Sequence, residues 1–74
     1  MEFQIIRSII ARILDLPQEE IREDSRLVED LYADSMKLFQ ILVETEKEFE
    51  MNFPFERIGE IRTAGDIYRL IQES

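Results

Sequence analysis

Asp34 and Ser35 are the residues of this chain whose types and order could do chemistry. The sequence contains no His, no Cys and no Trp. Neither a Ser-His nor a Cys-His nucleophilic pair can be assembled from it. Carboxylates remain, 17 Asp and Glu in 74 residues, and a pair of them could act as general acid and base. A chain this short has no room for the deep desolvated cleft that would shift their pKa values. No catalytic residue is assigned, and the chain is read as a non-enzyme. Ser35 stands out by position instead. Asp34 is a good N-cap for a helix that begins at Ser35. The Ser35 hydroxyl would then lie beside unpaired backbone amides at the positive end of the helix dipole, where a phosphodiester is stabilised twice over. Alone, an Asp-Ser step at a helix start is ordinary capping.

The elements that must position these residues are legible from periodicity. Phe3, Ile6, Ile9, Ile10, Ile13 and Leu14 share one helical face, with Arg7 and Arg12 outside it, which predicts a first helix over about residues 2–15. Pro17 disfavours helical geometry at Leu16 and stops it. Residues 17–34 lack sustained periodicity and read as a long loop pinned by Ile21, Leu27, Val28 and Leu31, with a single helical turn from Leu27 to Leu31. A loop of this length in a small domain is usually functional or tied down. The second helix is expected over about 35–50, burying Leu38, Phe39, Leu42, Thr45 and Phe49. Asn52 and Pro54 end that region, and Pro54 suits the start of a short third helix near 55–60, around Phe55 and Ile58. Thr63 to Asp66 resembles a capping box, with Asp in place of Glu or Gln. It opens a fourth helix to about residue 72 that buries Ala64, Ile67, Leu70 and Ile71. The expectation is an all-α, small four-helix bundle, three main helices and one short, in a single domain over residues 1–74.

Composition bounds the function. Apolar residues make up 45% of the chain and the formal net charge is −8, enough for a core and too acidic to neutralise phosphates. Nucleic acid and anionic membrane surfaces are therefore poor partners, and basic protein surfaces are better ones. The amino terminus lacks a basic start, and no segment approaches the roughly 20 apolar residues that span a bilayer. The chain is expected to be a cytoplasmic monomer without membrane insertion. Acidic residues near Glu29, Asp30 and Asp34 match no EF-hand loop and read as solvated charge, so no metal site is assigned.

Leu27 to Phe49, LVEDLYADSMKLFQILVETEKEF, resembles the core signature of acyl carrier proteins. The matching pieces are Glu29-Asp30-Leu31, Ala33-Asp34-Ser35-Met36 and Glu46-Lys47-Glu48-Phe49. The likeness extends through LDLPQEEI, Pro54 and the Ile61-Arg62-Thr63 step, nearly the whole chain without insertion or deletion. The resemblance implies a four-helix carrier whose 4′-phosphopantetheine arm is moved from coenzyme A onto Ser35 by a phosphopantetheinyl transferase. Nothing in the chain could deprotonate that hydroxyl, so the base and the Mg²⁺ of that step belong to the transferase. The arm's thiol then holds acyl intermediates as thioesters. Further partners implied are ketosynthase, acyltransferase or acyl–carrier-protein synthetase enzymes of fatty-acid, lipid or polyketide-type biosynthesis. Asp34 would lie beside the transferase's metal–phosphate site while also capping the helix. The family can also shelter an acyl chain between its helices.

A stripe of Met36, Gln40, Val43 and Lys47 runs at helical period away from the expected buried arc. With Glu44 and Glu48 beside it, it reads as a docking strip, which is also the surface that meets partner enzymes in the family. The chain departs from the family in four places. Tyr32 stands where Gly is usual, Met36 where Leu is, Lys37 where an acid is common, and Gln40 where Glu is. These departures suggest a specialised carrier. The alternatives are an unmodified acidic adaptor that binds through the second helix, or an aminoacyl or D-alanyl carrier. A peptidyl carrier would have Gly-Gly before the modified Ser, which Ala33-Asp34 does not match.

Overall fold

A computed structural model describes residues 2–73; Met1, Ser74 and the side chains of Glu2 and Phe55 lie outside the described set. Among the described residues the chain forms three α-helices, α1 (Glu2–Leu14), α2 (Ser35–Phe49) and α3 (Ala64–Glu73). Two short 3-10 helices, Gln18–Glu20 and Phe55–Glu60, lie in the connections. Among the described residues there is no strand, and an isolated antiparallel bridge joins Arg26 and Thr63. The three main helices and the short one at Phe55–Glu60 are those expected from the sequence, and α1 packs against both α2 and α3.

The buried face of α1 is built from Phe3, Ile6, Ile9 and Ile10, joined by Ala11, while Ile13 and Leu14 are half-buried at its edge. The helix stops at Leu14, three residues before Pro17. Asp15 turns left-handed at φ 58, and the Leu16 amide reaches back to the Ala11 carbonyl at 3.0 Å. This satisfies one carbonyl of the last turn. Glu50 ends α2 in the same way, at φ 52, with the Met51 amide on the Glu46 carbonyl at 3.0 Å.

The loop between α1 and α2 is pinned by Ile21, Leu27 and Leu31, each buried. Val28, expected as a fourth pin, is instead 54% exposed. The segment does bond like a helical turn, Asp30 N–H to Arg26 O at 2.9 Å and Tyr32 N–H to Val28 O at 3.1 Å. In such a turn Leu27 and Leu31 share the inner face, so Val28 and Tyr32 share the outer one. The loop is also tied to the start of α3. The Leu27 amide donates to Arg62 O at 2.9 Å, Ala64 to Ser25 O at 3.0 Å, and Gly65 to Glu23 O at 2.8 Å. Two first-turn amides of α3 are thereby satisfied by two distant carbonyls, those of Ser25 and Glu23.

The capping box closes on itself. Thr63 Oγ1 accepts from the Asp66 amide at 3.1 Å, and Asp66 Oδ2 accepts from the Thr63 amide at 3.0 Å. Burial works to raise the Asp66 pKa. Bonds from the Arg62 and Thr63 amides and from Arg69 outweigh it and hold the carboxyl below its usual range.

On α2 the buried set differs from expectation at one shoulder. Leu42 and Thr45 are buried, and Leu38 and Phe49 are half-buried against the core. Phe39 is 64% exposed, and Ile41, not assigned to the core, is fully buried. The two lie about 160° apart on opposite shoulders of one apolar arc, so only one of them can face α1 and α3. Buried Thr45 satisfies its hydroxyl on the Ile41 carbonyl at 2.7 Å.

Candidate functional site

The approach to α2 forces Ser35 outward. Leu31 and Ala33 are buried, and the Ala33 amide is held by Leu27 O at 2.9 Å. Asp34 is then extended, at φ −85 and ψ 177, and its Oδ1 accepts from the Lys37 amide at 2.8 Å. This is the N-cap expected from sequence. Ser35 is the first residue of α2 and is exposed. The Ser35 and Met36 amides have no carbonyl a turn earlier within the helix. The first turn of α2 carries no acidic residue; the carboxylate at its tip is that of the N-cap Asp34.

Lys37 does not simply extend into solvent. Its Nζ donates to the Ile13 carbonyl at 3.3 Å, which places a cation at the negative end of α1 and ties the first turn of α2 to it. The turn before the site carries a second tie. Arg26 forks onto Asp30 at 3.0 and 3.2 Å, and the Arg26 amide also donates to Asp30 at 2.9 Å. That hydrogen bonding holds the Asp30 carboxyl below its usual range.

Tyr32, where the likeness leads one to expect Gly, sits at φ 62 with its side chain 85% exposed. A left-handed backbone is unfavourable for a residue with a Cβ by about 1–2 kcal/mol. Glycine would regain most of this and lose about 0.5–1 kcal/mol of it to its freer unfolded chain. Tyr32→Gly should therefore raise the unfolding free energy by about 0.5–1 kcal/mol. Urea unfolding measures this, and a lower midpoint would show that the ring is needed.

Two grooves flank Phe39. One, about 420 Å³, begins at Ser35 and is lined by Leu38, Phe39, Leu42, Glu46, Phe53 and Ile58. Its lining is apolar apart from Ser35 and Glu46. The other, about 240 Å³, lies between α1 and α2 and is lined by Arg12, Ile13, Phe39, Gln40, Val43 and Glu44. Larger hollows along the acidic loop and beside α3 are lined chiefly by charged and polar groups. Of the expected docking strip, Met36, Gln40, Lys47 and Glu48 are exposed, whereas Val43 and Glu44 are half-buried. Arg12 stands 3.8 Å from Glu44.

Sequence reasoning missed the first groove. Ser35, Leu38, Phe39 and Leu42 share a helical face, a signal that was available, but Phe53 and Ile58 as the opposite wall had none. Among the described residues no cluster of three or more acidic groups could hold a metal ion, and no helix is long and apolar enough to cross a membrane.

Residues 4–71 match the family described as a phosphopantetheine attachment site. The acyl carrier protein of Borreliella burgdorferi strain ZS7 is 39% identical over 71 residues, spanning 96% of this chain and 89% of the relative. That of Wolinella succinogenes is 34% identical over 70 residues, 95% of this chain and 92% of the relative. Among solved structures, a candidate acyl carrier protein from Mycobacterium tuberculosis superposes with a TM-score of 0.90 at 36% identity, covering 99% of this chain and 97% of that one. This chain belongs to the acyl carrier protein family, whose members bear a covalently attached 4′-phosphopantetheine arm.

Proposed function

We propose that the arm is attached at Ser35 and that the chain is a single carrier domain, itself without catalytic activity. The observation that carries this reading is the position of the Ser35 hydroxyl, exposed at the tip of α2 and at the mouth of an apolar groove. The residues present fit the group. The free amides and the dipole of α2 favour its phosphodiester, Asp34 holds the first turn, and Leu38, Phe39 and Leu42 offer a dry path for a hydrocarbon cargo. When bound, the arm supplies a thiol that holds the acyl group as a thioester. The chain's own part is to present the hydroxyl, orient the attached phosphate and keep water from the cargo. No His or Lys lies against the hydroxyl, so the proton of Ser35 passes to a base on a phosphopantetheinyl transferase, which also supplies the Mg²⁺.

The test is intact mass after incubation with coenzyme A, Mg²⁺ and a broad-specificity transferase. One added arm is expected, and Ser35→Ala should abolish it completely. An unmodified adaptor would show no change of mass in either protein.

Within this reading the carrier is a cytoplasmic monomer that meets acyl-processing enzymes through Met36, Gln40, Val43, Glu44, Lys47 and Glu48. It is a specialised carrier, because Lys37 and Gln40 replace acids that general partners read. Lys37→Asp with Gln40→Glu should tighten binding to a fatty-acid synthase ketosynthase by about threefold, the scale of one or two rim charges. Full-strength binding by the unaltered protein, unchanged in the double variant, would count against specialisation.

A further inference from the structure

Tyr32 is strained and exposed at once. Its backbone is left-handed at φ 62, a conformation unfavourable for any residue with a Cβ. Its side chain is 85% exposed, and no described ring contact includes it. Glycine should fold better here, so the ring does not serve stability. A large side chain held on a strained backbone with no gain in folding implies a contact made outside the chain.

The surroundings give the chemistry of that contact. Among the described residues five large apolar side chains are exposed, and four of them, Val28, Tyr32, Met36 and Phe39, flank Ser35 in the sequence. Phe39 belongs to the grooves on α2. Val28 and Tyr32 instead share the outer face of the turn that leads into the site, with Tyr32 N–H on Val28 O at 3.1 Å. Exposed Glu29 and Asp34 border them in the chain, and neither takes part in a described ion pair. The surface is therefore an apolar prominence set among free carboxylates.

Reach decides which partner must cover it. The Cα atoms of Tyr32 and Ser35, three residues apart, can be separated by at most about 11 Å. An enzyme that takes the Ser35 hydroxyl into its own site covers about 800 Å² of this chain at a standard interface, a disc of about 16 Å radius. Tyr32 falls inside that footprint. Enzymes that act on the arm's thiol work at the far end of the arm and need not cover this turn.

Resting on the reading of Ser35 as the attachment point, we propose that Tyr32 is a specificity-determining residue for arm transfer. Its ring, with Val28 on the same face, enters an apolar recess beside the active site of the phosphopantetheinyl transferase that modifies this chain. Basic side chains rim that recess, opposite Glu29 and Asp34. Tyr is enriched among the anchors that dominate such interfaces. Tyr32 acts on docking and takes no part in the transfer step.

The experiment measures arm transfer from coenzyme A by two enzymes, the transferase encoded in the same genome as this chain and one whose own carriers have Gly at this position. The substrates are the wild type, Tyr32→Phe, Tyr32→Asn and Tyr32→Gly. Asn tolerates a left-handed backbone, so it removes the ring without freeing the turn, and melting curves confirm that each variant is folded. With the first enzyme, Tyr32→Asn and Tyr32→Gly should each raise KM for the carrier about tenfold, the scale of one anchor residue, with kcat within about twofold. Tyr32→Phe should match the wild type, because the contact uses the ring and not the hydroxyl. With the second enzyme the Asn and Gly variants should lose nothing. An unchanged KM with the first enzyme, a loss carried by kcat, a Tyr32→Phe variant as impaired as Tyr32→Asn, or an equal loss with both enzymes would each overturn the role of Tyr32. No added mass on the wild type with either enzyme, or an arm added to Ser35→Ala, would overturn the attachment reading itself.

Discussion

Ile41→Ala should lower the unfolding free energy by about 3–4 kcal/mol, whereas Phe39→Ala should change it by less than about 1 kcal/mol. Ile41 is fully buried in the core, while Phe39 is 64% exposed on the rim between two grooves. Truncating Ile41 removes buried methyl groups and leaves a cavity that its neighbours refill only in part. The higher helix propensity of Ala returns only a few tenths of a kcal/mol. A chain of this length has roughly 4–11 kcal/mol of stability in total, so the Ile41 variant should melt early and with reduced cooperativity. Urea unfolding followed by circular dichroism compares the two. The reverse order, with Phe39 the more costly, would mean that α2 is rotated about its axis from the position described. That rotation would also remove Phe39 from the wall of the Ser35 groove.

The second large effect is expected at Gly65. A Cβ built there meets the Glu23 carbonyl oxygen at 2.8 Å, closer than carbon and oxygen tolerate. That oxygen belongs to the backbone and is also the acceptor for the Gly65 amide at 2.8 Å. It cannot withdraw without giving up the hydrogen bond. Gly65→Ala should therefore destabilise the protein by about 1–3 kcal/mol, although Ala is the better helix former by about 1 kcal/mol. The sign decides between the two effects. The consequence extends toward the site, because the tie at Glu23 lies next to those at Ser25 and Leu27, and this loop leads directly into Ala33, Asp34 and Ser35. Hydrogen exchange should show lost protection at the Leu27 amide, which donates to Arg62 O. A variant as stable as the wild type, with that amide still protected, would show that the loop can yield to the methyl group.

Much of the fold and the centre of the site were legible in the sequence because the signals are local. Asp34 caps α2 through an amide three residues on, Thr63 and Asp66 bond each other across the same interval, and Pro17 and Pro54 restrict their immediate neighbours. A helix dipole and its free amides need only one turn to exist, so the setting of Ser35 could be read from the residues around it. The residues near Phe39 were another matter. An apolar arc on α2 wide enough to include both Phe39 and Ile41 has two ways to face a core, and only the placement of α1 and α3 chose between them. Val28 turned outward because Leu27 and Leu31 filled the inner face of their turn. The bonds from Glu23 and Ser25 to the start of α3, the reach of Lys37 to Ile13, and the groove closed by Glu46 and Phe53 all join residues distant in the chain. Periodicity determines that a face is apolar; what that face meets depends on where the other helices lie, which no local spacing encodes.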